Sequence, residues 1–333
     1  MSNTRRVFIT GAGGAGTIEI IRALRAKGRY EIVVADASPY SAGLPLADRG
    51  YVIPFGSSPE FRGHMRELLE RERPAFMIPL VDEEIPIVHE LVASEFRGKV
   101  TVVAPRLEFC TSMLDKWQMY QRLSAQGLSV ARTWLASEAK GKCEFPAIIK
   151  PREGRGSRGF AYIDSEKDLN AYLAEANLPE DRYIVQERLL GAEYTTSVVV
   201  TLAGETLAVV PKEVLSKRGI TQLGATRAVP AIERLGRDIQ SKLRADGPFN
   251  VQLVLDKAGI PWVFEVNPRY STTVALTLAA GIDEVDCVLR AADGLPNEPQ
   301  RFQPDLLMIR YQTQLYVPEA EWNRRFLGTE SGA

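Results

Sequence analysis

Two fold classes follow one another along the sequence, an α/β region and then an α+β region. In the first third, short apolar runs alternate with amphipathic helical patterns, as at Val7–Thr10 and Thr17–Ala26. Strands separated by helices predict parallel pairing in an open, doubly wound sheet. Further on, strands follow each other more closely, as at Asn250–Asp256 and Trp262–Val266, which a Lys-Ala-Gly turn joins into an antiparallel hairpin. The 333 residues suffice for roughly two or three domains.

The remaining elements of the first region continue the alternation. Helical periodicity predicts helices at Phe61–Glu72 and Ile85–Ser94, and apolar runs predict strands at Glu31–Ala35, Phe76–Leu80 and Val100–Ala104. A single helix is expected over Leu114–Gln126, ended by Gly127.

In the second region, predicted strands are more frequent than helices. A hairpin is expected within residues 194–210, and Arg218–Thr226 is expected to be an exposed loop. The other predicted strands are Ala147–Lys150, Phe160–Ile163, Tyr183–Gln186 and Leu306–Tyr311. The predicted helices are Glu166–Ala176, Ile232–Ala245, Thr272–Ala280 and Asp283–Asp293.

Composition and charge narrow the class of protein. Apolar residues make up 45% and charged residues 25% of the chain, and the formal net charge is -1. This is the composition of a globular protein, and the balanced charge favours no nucleic-acid partner. No apolar run is long enough for a signal peptide or a membrane span, so a cytoplasmic protein without a membrane partner is expected.

Histidine and cysteine are too scarce to carry the chemistry. The chain has 2 histidines and 3 cysteines, and no Cys-x-x-Cys pair occurs. These numbers speak against a zinc site or a redox pair. Any chemistry must therefore run mainly on carboxylates, lysines, arginines and amides.

A glycine-rich turn follows the first predicted strand and opens the first predicted helix. Gly11, Gly13 and Gly16 fit the pattern G-x-G-x-x-G, and Asp36 lies 20 residues beyond Gly16. Alone, this pattern indicates an NAD-dependent oxidoreductase or epimerase. The chain has no Tyr-x-x-x-Lys pair to donate a proton in a short-chain reductase, and this alternative is the weaker one.

The most informative stretch is Glu265-Val266-Asn267-Pro268-Arg269, at the end of a strand whose hairpin partner contains Gln252. Side chains two residues apart on a strand share a face, so Glu265 and Asn267 must lie together. Pairing across the hairpin can bring Gln252 to the same face. A carboxylate and two amide oxygens suit Mg²⁺, and Arg269 suits a phosphate or carboxylate.

Two upstream segments carry groups that suit a nucleotide. Three apolar residues lead to Lys150, whose ammonium must find an anion if it is buried. A donor-rich glycine turn, Gly154–Gly159, follows and could fold over phosphates. Next, a strand leaves the small sheet with Glu187 and Glu193, which fit contacts to an adenine edge and a ribose.

These segments follow one another along the chain, from Asp115-Lys116 to NVQLVL…WVFEVNPRYS. In this order the sequence resembles the ATP-grasp superfamily, over about residues 1–295. It most closely resembles the carbamoyl-phosphate-synthase-like branch. The resemblance implies a Rossmann-like pre-ATP-grasp domain at residues 1–112. An ATP-grasp fold of two α+β subdomains would follow, at residues 113–190 and 191–333.

The resemblance also implies roles for individual residues. ATP would contact Lys116, Lys150, Gly154, Arg155, Gly156, Ser157, Gln186, Glu187, Arg188, Leu189 and Glu193. Magnesium, with Mn²⁺ as an alternative, would be held by Gln252, Glu265 and Asn267. Arg269, Lys212 and Arg227 would be catalytic, and Ser271 would contact substrate. Arg310 lies beyond the resemblance, in an apolar strand, and could pair with a substrate carboxylate or form a structural ion pair.

The implied activity is that of a carboxylate–amine ligase of the amino-acid or peptide type. Such an enzyme converts a carboxylate into an acyl phosphate with ATP, and an amine then displaces the phosphate. The chain has one module, unlike a full carbamoyl-phosphate synthase, so small-molecule carboxylate and amine substrates are expected, and a homodimer is compatible with the sequence. A non-catalytic ATP-binding protein is the other alternative, although it would lack at least one metal ligand. The sequence does not identify the carboxylate or the amine.

Overall fold

The computed structural model describes residues 4–154, 156, 158–297 and 300–327. Within these ranges the chain forms three β-sheets in sequence order. The sheets come from the α/β region, the middle of the chain and the C-terminal half, respectively. None of the helices in the described ranges has the length and apolarity that a membrane crossing requires.

The first sheet is parallel and has the strand order β3-β2-β1-β4-β5. Its strands are β1 (Arg5–Thr10), β2 (Tyr30–Asp36), β3 (Arg49–Val52), β4 (Phe76–Ile78) and β5 (Thr101–Val102). Its helices are α1 (Thr17–Ala26), α2 (Phe61–Glu72) and α3 (Glu84–Glu95). Parallel pairing confirms the doubly wound sheet that strand–helix alternation predicts.

The second sheet is small and antiparallel, with the order β6-β9-β7-β8. Two helices, α4 (Leu107–Leu114) and α5 (Lys116–Ala125), lead into it from the first sheet. Its strands are β6 (Thr133–Leu135), β7 (Ala147–Pro151), β8 (Ala161–Ile163) and β9 (Tyr183–Glu187), and its helices are α6 (Ala136–Ala139) and α7 (Glu166–Ala174).

The helix predicted over Leu114–Gln126 is confirmed as α5, but it begins two residues later because the chain breaks at Asp115. This residue has an extended backbone, with φ -89° and ψ 107°. Its carboxylate accepts hydrogen bonds from the N–H groups of Trp117 and Gln118, and so caps the helix that begins at Lys116. The break places Lys116 at a helix N-terminus that faces the second sheet.

The third sheet has six strands in the order β14-β13-β10-β11-β12-β15. Its strands are β10 (Ala192–Val200), β11 (Thr206–Arg218), β12 (Ile220–Thr226), β13 (Phe249–Leu255), β14 (Pro261–Asn267) and β15 (Leu307–Ile309). The helices after β12 are α8 (Pro230–Leu243), α9 (Val274–Ala279), α10 (Glu284–Ala292) and α11 (Glu319–Trp322).

The prediction of an exposed loop over Arg218–Thr226 is also wrong. Residues Ile220–Thr226 form β12, which pairs with β11 and β15. The tight turn at Gly219, with φ +68°, and register shifts between Val214 and Lys217 fit this polar segment into the sheet. Thr226 is fully buried, so a polar sequence here forms an interior strand.

The apolar cores of the first and third sheets are continuous. One cluster of buried residues includes Val7 and Ile32 of the first sheet together with Val199, Val210 and Tyr270 of the C-terminal half. Shared apolar packing therefore fixes the first sheet against the third. The predicted domain boundaries at residues 112 and 190 remain predictions.

The end of the described chain returns to the first sheet. The ring of Trp322 stacks on that of Tyr40 with centroids 6.2 Å apart, and its Nε1 donates to the Pro39 carbonyl at 3.1 Å. Phe326 is buried near β3. The segment thereby fixes the loop that follows β2.

Replacing Gly43 by alanine tests the close packing of this loop. A Cβ there would stand 2.2 Å from the carbonyl oxygen of Ala12, which is backbone and cannot swing away. We expect Gly43→Ala to lower the free energy of unfolding by about 2 kcal/mol or more. Melting temperatures of the purified variants would measure the effect.

The matched control is Gly63→Ala, in α2. A Cβ at Gly63 meets nothing within 4 Å, and alanine favours the helix by up to about 1 kcal/mol. The two glycine-to-alanine changes should therefore shift the melting temperature in opposite directions. A decrease of equal size in both would contradict the close packing of Gly43 on Ala12.

Candidate active site

Two large cavities meet between the sheets. The first has a volume of about 670 Å³ and lies between the second sheet and the third. The second, of about 630 Å³, is bordered by the glycine turn and the carboxyl ends of the first sheet. Both are within the usual size range of small-molecule sites. They share four lining residues, Arg158, Arg269, Ser271 and Thr272, so the cavities adjoin.

The β13–β14 hairpin forms one wall of the first cavity. Its register sets Gln252 opposite Glu265 and Asn250 opposite Asn267. All four side chains line the cavity. Pairing across the hairpin and the two-residue period of a strand put their oxygens on one face.

The oxygens of this face fit a magnesium ion bound together with phosphates. They comprise one carboxylate and several amide oxygens, and Mg²⁺ prefers such oxygen ligands. The described residues contain no group of three or more His, Cys, Asp or Glu side chains that could hold a metal ion by themselves. A metal on this face would therefore need further ligands from a nucleotide.

Lys150 lies next to the end of β7, on the opposite wall of the first cavity. It is buried, and its Nζ donates to the carbonyl of Phe264 at 3.3 Å and lies 5.5 Å from the centre of that ring. Burial lowers the pKa of Lys150 to about 8, against the attraction of the Glu265 carboxylate. A phosphate in the cavity would give this ammonium a counter-charge.

Lys116, the first residue of α5, contacts the glycine turn that follows β7. Its buried Nζ donates to the carbonyl of Gly154 at 3.0 Å. Lys116, Gly154 and Gly156 line the first cavity. Arg155 and Ser157, which were predicted to contact ATP, lie outside the described residues.

The segment after β9 lines the same cavity. The Glu187 carboxylate accepts from the backbone N–H and the Nε of Arg132, each at 2.8 Å. The Arg188 guanidinium lies 4.9 Å from the centre of the Tyr162 ring. Because Arg132 already binds the Glu187 carboxylate, the backbone groups next to Glu187 are better candidates for hydrogen bonds to the edge of an adenine.

Three further residues predicted to contact ATP, Gln186, Leu189 and Glu193, also line this cavity. Gln186 is buried and donates from Nε2 to the Thr133 hydroxyl at 3.0 Å. Glu193 accepts from Nζ of Lys217 at 2.6 Å. Lys217 lines the cavity as well, and no pattern in the sequence singled it out.

Arg269 lies where the two cavities meet. It is largely buried, and its Nε donates to Oδ1 of Asp82 at 2.5 Å, while Nη1 donates to the Tyr270 carbonyl at 3.3 Å. Asp82 follows β4 of the first sheet. The sequence analysis overlooked Asp82, although acidic side chains after a parallel strand are a known signal of a site.

Ser271 lines both cavities and is buried. Its Oγ lies 2.8 Å from the Thr273 hydroxyl and 3.4 Å from that of Thr195, which donates to Oδ1 of Asn250 at 2.9 Å. The hydroxyl is therefore linked to the β13–β14 face. Its contact with substrate remains a prediction.

The structure places Lys212 and Arg227, the other two residues predicted to be catalytic, away from both cavities. Neither residue lines either cavity. Lys212 is fully buried, with Nζ donating to the hydroxyls of Ser197 at 2.7 Å and Thr277 at 2.8 Å. Arg227 instead pairs with acidic side chains, Glu213 at 2.8 Å and Asp305 at 2.9 Å.

Arg310, for which a substrate contact and a structural role were both open, also lies away from the cavities. This residue lines neither cavity, and its guanidinium donates to backbone carbonyls: Thr221 at 3.0 Å, Thr272 at 2.9 Å and Ala15 at 3.4 Å. It ties β12 to the glycine turn and to the loop after β14. Arg310 thus supports the cavity walls from behind.

The glycine turn has its acidic residue, but that residue is already engaged. Oδ2 of Asp36 accepts from the Gly13 N–H at 2.6 Å, and Oδ1 accepts from the Ser38 N–H at 2.8 Å. In an NAD site the corresponding acid holds ribose hydroxyls. Here both oxygens shape the turn, which disfavours the oxidoreductase alternative.

Comparison with known proteins agrees with this geometry. A family model described as "ATP-grasp in the biosynthetic pathway with Ter operon" matches residues 180–314. The chain has an ATP-grasp fold. The matched segment contains the whole β13–β14 face, Arg269 and the chain from β9 to β15.

Three similar proteins show how far the likeness extends. A formate-dependent phosphoribosylglycinamide formyltransferase of Burkholderia vietnamiensis is 28% identical, over 92% of this ATP-grasp chain and 79% of its own. The biotin carboxylase domain of Hydrogenobacter thermophilus 2-oxoglutarate carboxylase, solved with MgADP and bicarbonate, has a TM-score of 0.71 at 16% identity, covering 90% of this chain and 71% of its own. An L-amino acid ligase from Bacillus licheniformis has a TM-score of 0.67 at 16% identity, covering 88% and 75%.

The lowered pKa of Lys150 gives a test of the ATP-grasp cavity. At about pH 8.5 a large share of Lys150 is neutral in the free protein, and bound phosphates would raise its pKa. We therefore expect MgATP binding to take up about half a proton or more at that pH, and much less near pH 7. Calorimetric titrations in two buffers of different ionisation enthalpy measure this uptake.

The control is Lys150→Arg, because a guanidinium stays charged at both pH values. Its proton uptake on binding MgATP should be close to zero at about pH 8.5. If the arginine variant took up as many protons as the natural protein, Lys150 would not be the group that meets the phosphates.

Proposed function

We propose that this chain is a carboxylate–amine ligase that uses ATP to activate a small carboxylic acid. The observation that carries the proposal is the junction of the cavities at Arg269. On one side lie Lys150 and the Gln252, Glu265 and Asn267 face, and on the other side lies a cavity large enough for a second substrate. ATP-dependent formation of a C–N bond with release of ADP is the reaction of the ATP-grasp ligases.

ATP occupies the first cavity in this proposal. Its phosphates face Lys116 and Lys150 beneath the turn that begins at Gly154, and its base lies against the chain after β9. Both ammonium groups are buried, so each gains more from an anion than it would in water. Glu193 and Lys217 border the same cavity and are placed for the ribose side of the nucleotide.

Magnesium completes the site, with Mn²⁺ as the alternative cation. When bound, the cation neutralises phosphoryl oxygens and orients them for in-line attack. Glu265, Asn267 and Gln252 would hold it. The MgADP complex of the structurally similar biotin carboxylase domain supports this choice.

The reaction then has two steps. A carboxylate oxygen attacks the γ-phosphorus of ATP, the bond to the β-phosphate oxygen breaks, and ADP leaves. The amine nitrogen next attacks the acyl carbon, the C–N bond forms, and phosphate departs as the nitrogen releases its proton. Arg269 lies between the cavities, where it can stabilise the acyl phosphate while Asp82 holds its guanidinium in place.

The names of the similar proteins support this division of substrates. The Burkholderia enzyme is named for its use of formate and phosphoribosylglycinamide, and the Bacillus enzyme for joining L-amino acids. A cytoplasmic location, where ATP is made, fits the proposed reaction. A homodimer is compatible with it, since the Hydrogenobacter domain was solved as a dimer.

A screen of carboxylate and amine pairs for ADP and phosphate release tests the ligase function. Release that requires both substrates supports it. If ATP is bound and never consumed with any pair, the proposal fails and a non-catalytic ATP-binding protein is the better description.

Glu265→Gln tests the role of the carboxylate in the metal-binding face. The change removes the only charge among the three proposed metal ligands but keeps the side-chain shape. We expect turnover to fall by about a thousandfold or more, because charge neutralisation on the phosphoryl group is the main catalytic contribution. Steady-state ADP formation measures the loss, and the melting temperature should change little.

Glu205→Gln is the matched control. Glu205 is exposed on the turn before β11 and lines neither cavity. Its replacement should leave turnover within about twofold. Full activity in Glu265→Gln would exclude the metal role of this carboxylate.

A further inference from the structure

The second cavity is acidic at its inner end. Its described lining includes three carboxylates, Asp36, Glu83 and Glu84, and two guanidinium groups, Arg158 and Arg269. Both arginines also line the first cavity, so they lie at the junction. Away from this junction, in the part called the inner end, the charged side chains of the described lining are therefore all carboxylates.

The glycine turn does not offset this charge. Helix α1 begins there, and a helix N-terminus ordinarily attracts a phosphate. Here the Asp36 carboxylate already accepts from the Gly13 N–H, and Glu19 lies in the first turn of the helix. A phosphate dianion in the cavity would meet the Asp36 carboxylate at this helix end, which opposes its binding.

A buried hydroxyl on the same lining points to a ligand. Ser41 is only 4% exposed and lines the second cavity, and its Oγ has no hydrogen-bond partner among the described residues. A Cβ at Gly13 would stand 3.1 Å from that oxygen, so glycine leaves the space beside it open. Buried polar groups rarely remain unpaired, and a polar group of a ligand would satisfy this one.

The rim of the second cavity carries two exposed aromatic side chains. Tyr40 is 73% and Phe55 is 68% exposed, and both line the cavity. Trp322 stacks on Tyr40 and holds the adjoining Pro39 carbonyl. The Tyr40 ring is thus fixed in place although it is exposed, and an apolar ligand group could cover both rings.

We infer that the second cavity selects an unphosphorylated primary amine bearing an apolar or aromatic group. The ammonium of this ligand faces the acidic inner end, and a polar group of the ligand forms a hydrogen bond with the Ser41 hydroxyl. The apolar part of the ligand lies against Tyr40 and Phe55. This inference rests on the proposed ligase function and names the class of its acceptor. It separates this chain from the Burkholderia enzyme, whose named substrate carries a phosphoribosyl group.

The experiment measures binding of three small probes to the full chain saturated with MgADP. The probes are 2-phenylethylamine, 2-phenylethanol and O-phosphoethanolamine, followed by ligand-observed NMR titration. We expect the amine to bind at least about tenfold more tightly than the alcohol, because only the amine carries a charge for the carboxylates. O-Phosphoethanolamine should bind more weakly than 2-phenylethylamine by a similar factor.

Two variants test whether 2-phenylethylamine binds against the two aromatic side chains of the rim. Tyr40→Ala and Phe55→Ala should each weaken 2-phenylethylamine binding about five- to tenfold, since each removes an aromatic contact. The matched control is Tyr316→Ala, because Tyr316 is 88% exposed and lines neither large cavity. This control should bind the amine as the natural chain does.

The outcomes separate the two proposals. Tighter binding of O-phosphoethanolamine than of 2-phenylethylamine, or equal binding of the amine by Tyr40→Ala, Phe55→Ala and the natural chain, would overturn the acceptor class and leave the ligase function standing. MgADP titrations in the same series test the nucleotide cavity. A natural chain that does not bind MgADP would overturn the ligase function and this inference with it.

Discussion

The ion pair between Arg269 and Asp82 connects the two halves of the site. Arg269 follows the β13–β14 hairpin, and Asp82 follows β4 of the first sheet, so the bond at 2.5 Å joins two sheets that have separate strand orders. Both side chains are largely removed from water. A buried charge without a partner is strongly destabilising, so neither side chain can be lost without disturbing the other. This constraint fixes the end of the proposed metal-binding face against the second cavity.

The distribution of charge around that pair follows the order of the proposed reaction. On the nucleotide side, Lys116 and Lys150 are buried, and burial has already lowered the pKa of Lys150 to about 8. Its charged form is disfavoured until an anion arrives. On the other side, the lining turns acidic beyond Arg269. Arg269 thus lies where the lining changes from basic to acidic. An acyl phosphate there would have its anionic phosphate on the basic side, and the amine would approach from the acidic side.

The sequence predicted the fold well because its signals were local. Alternation of strand and helix, the glycine turn and the β13–β14 hairpin depend on neighbouring residues, and the pairing of the sheets confirms them. The errors arose where distant contacts decided the structure. The polar segment of β12 becomes a strand because β11 and β15 pair with it on both sides. Helix α4, which ends at Leu114 just before the Asp115 cap of α5, was not predicted.

Local sequence patterns also indicated which way some of the proposed site residues point, but not others. Glu265, Asn267 and Lys150 lie at strand ends, where the two-residue period determines which way a side chain points. For Lys212 and Arg227, no local pattern indicated which way the charged side chain points. Their sequence could not show that Lys212 would meet Ser197 and Thr277 in the interior, or that Arg227 would pair with Glu213 and Asp305. Charge predicts a role only when the backbone also fixes the direction of the side chain.

The glycine turn shows how one local pattern can serve different chemistry. The pattern G-x-G-x-x-G with a following acid is present, yet the acid bonds the turn itself through the Gly13 and Ser38 N–H groups. The carboxylate is then no longer available to ribose hydroxyls, and its charge opposes a phosphate at the helix end. The same glycines keep open the space beside the Ser41 hydroxyl. An arrangement that suits a dinucleotide in one protein thereby becomes, in this ATP-grasp chain, the acidic end of a cavity suited to an amine.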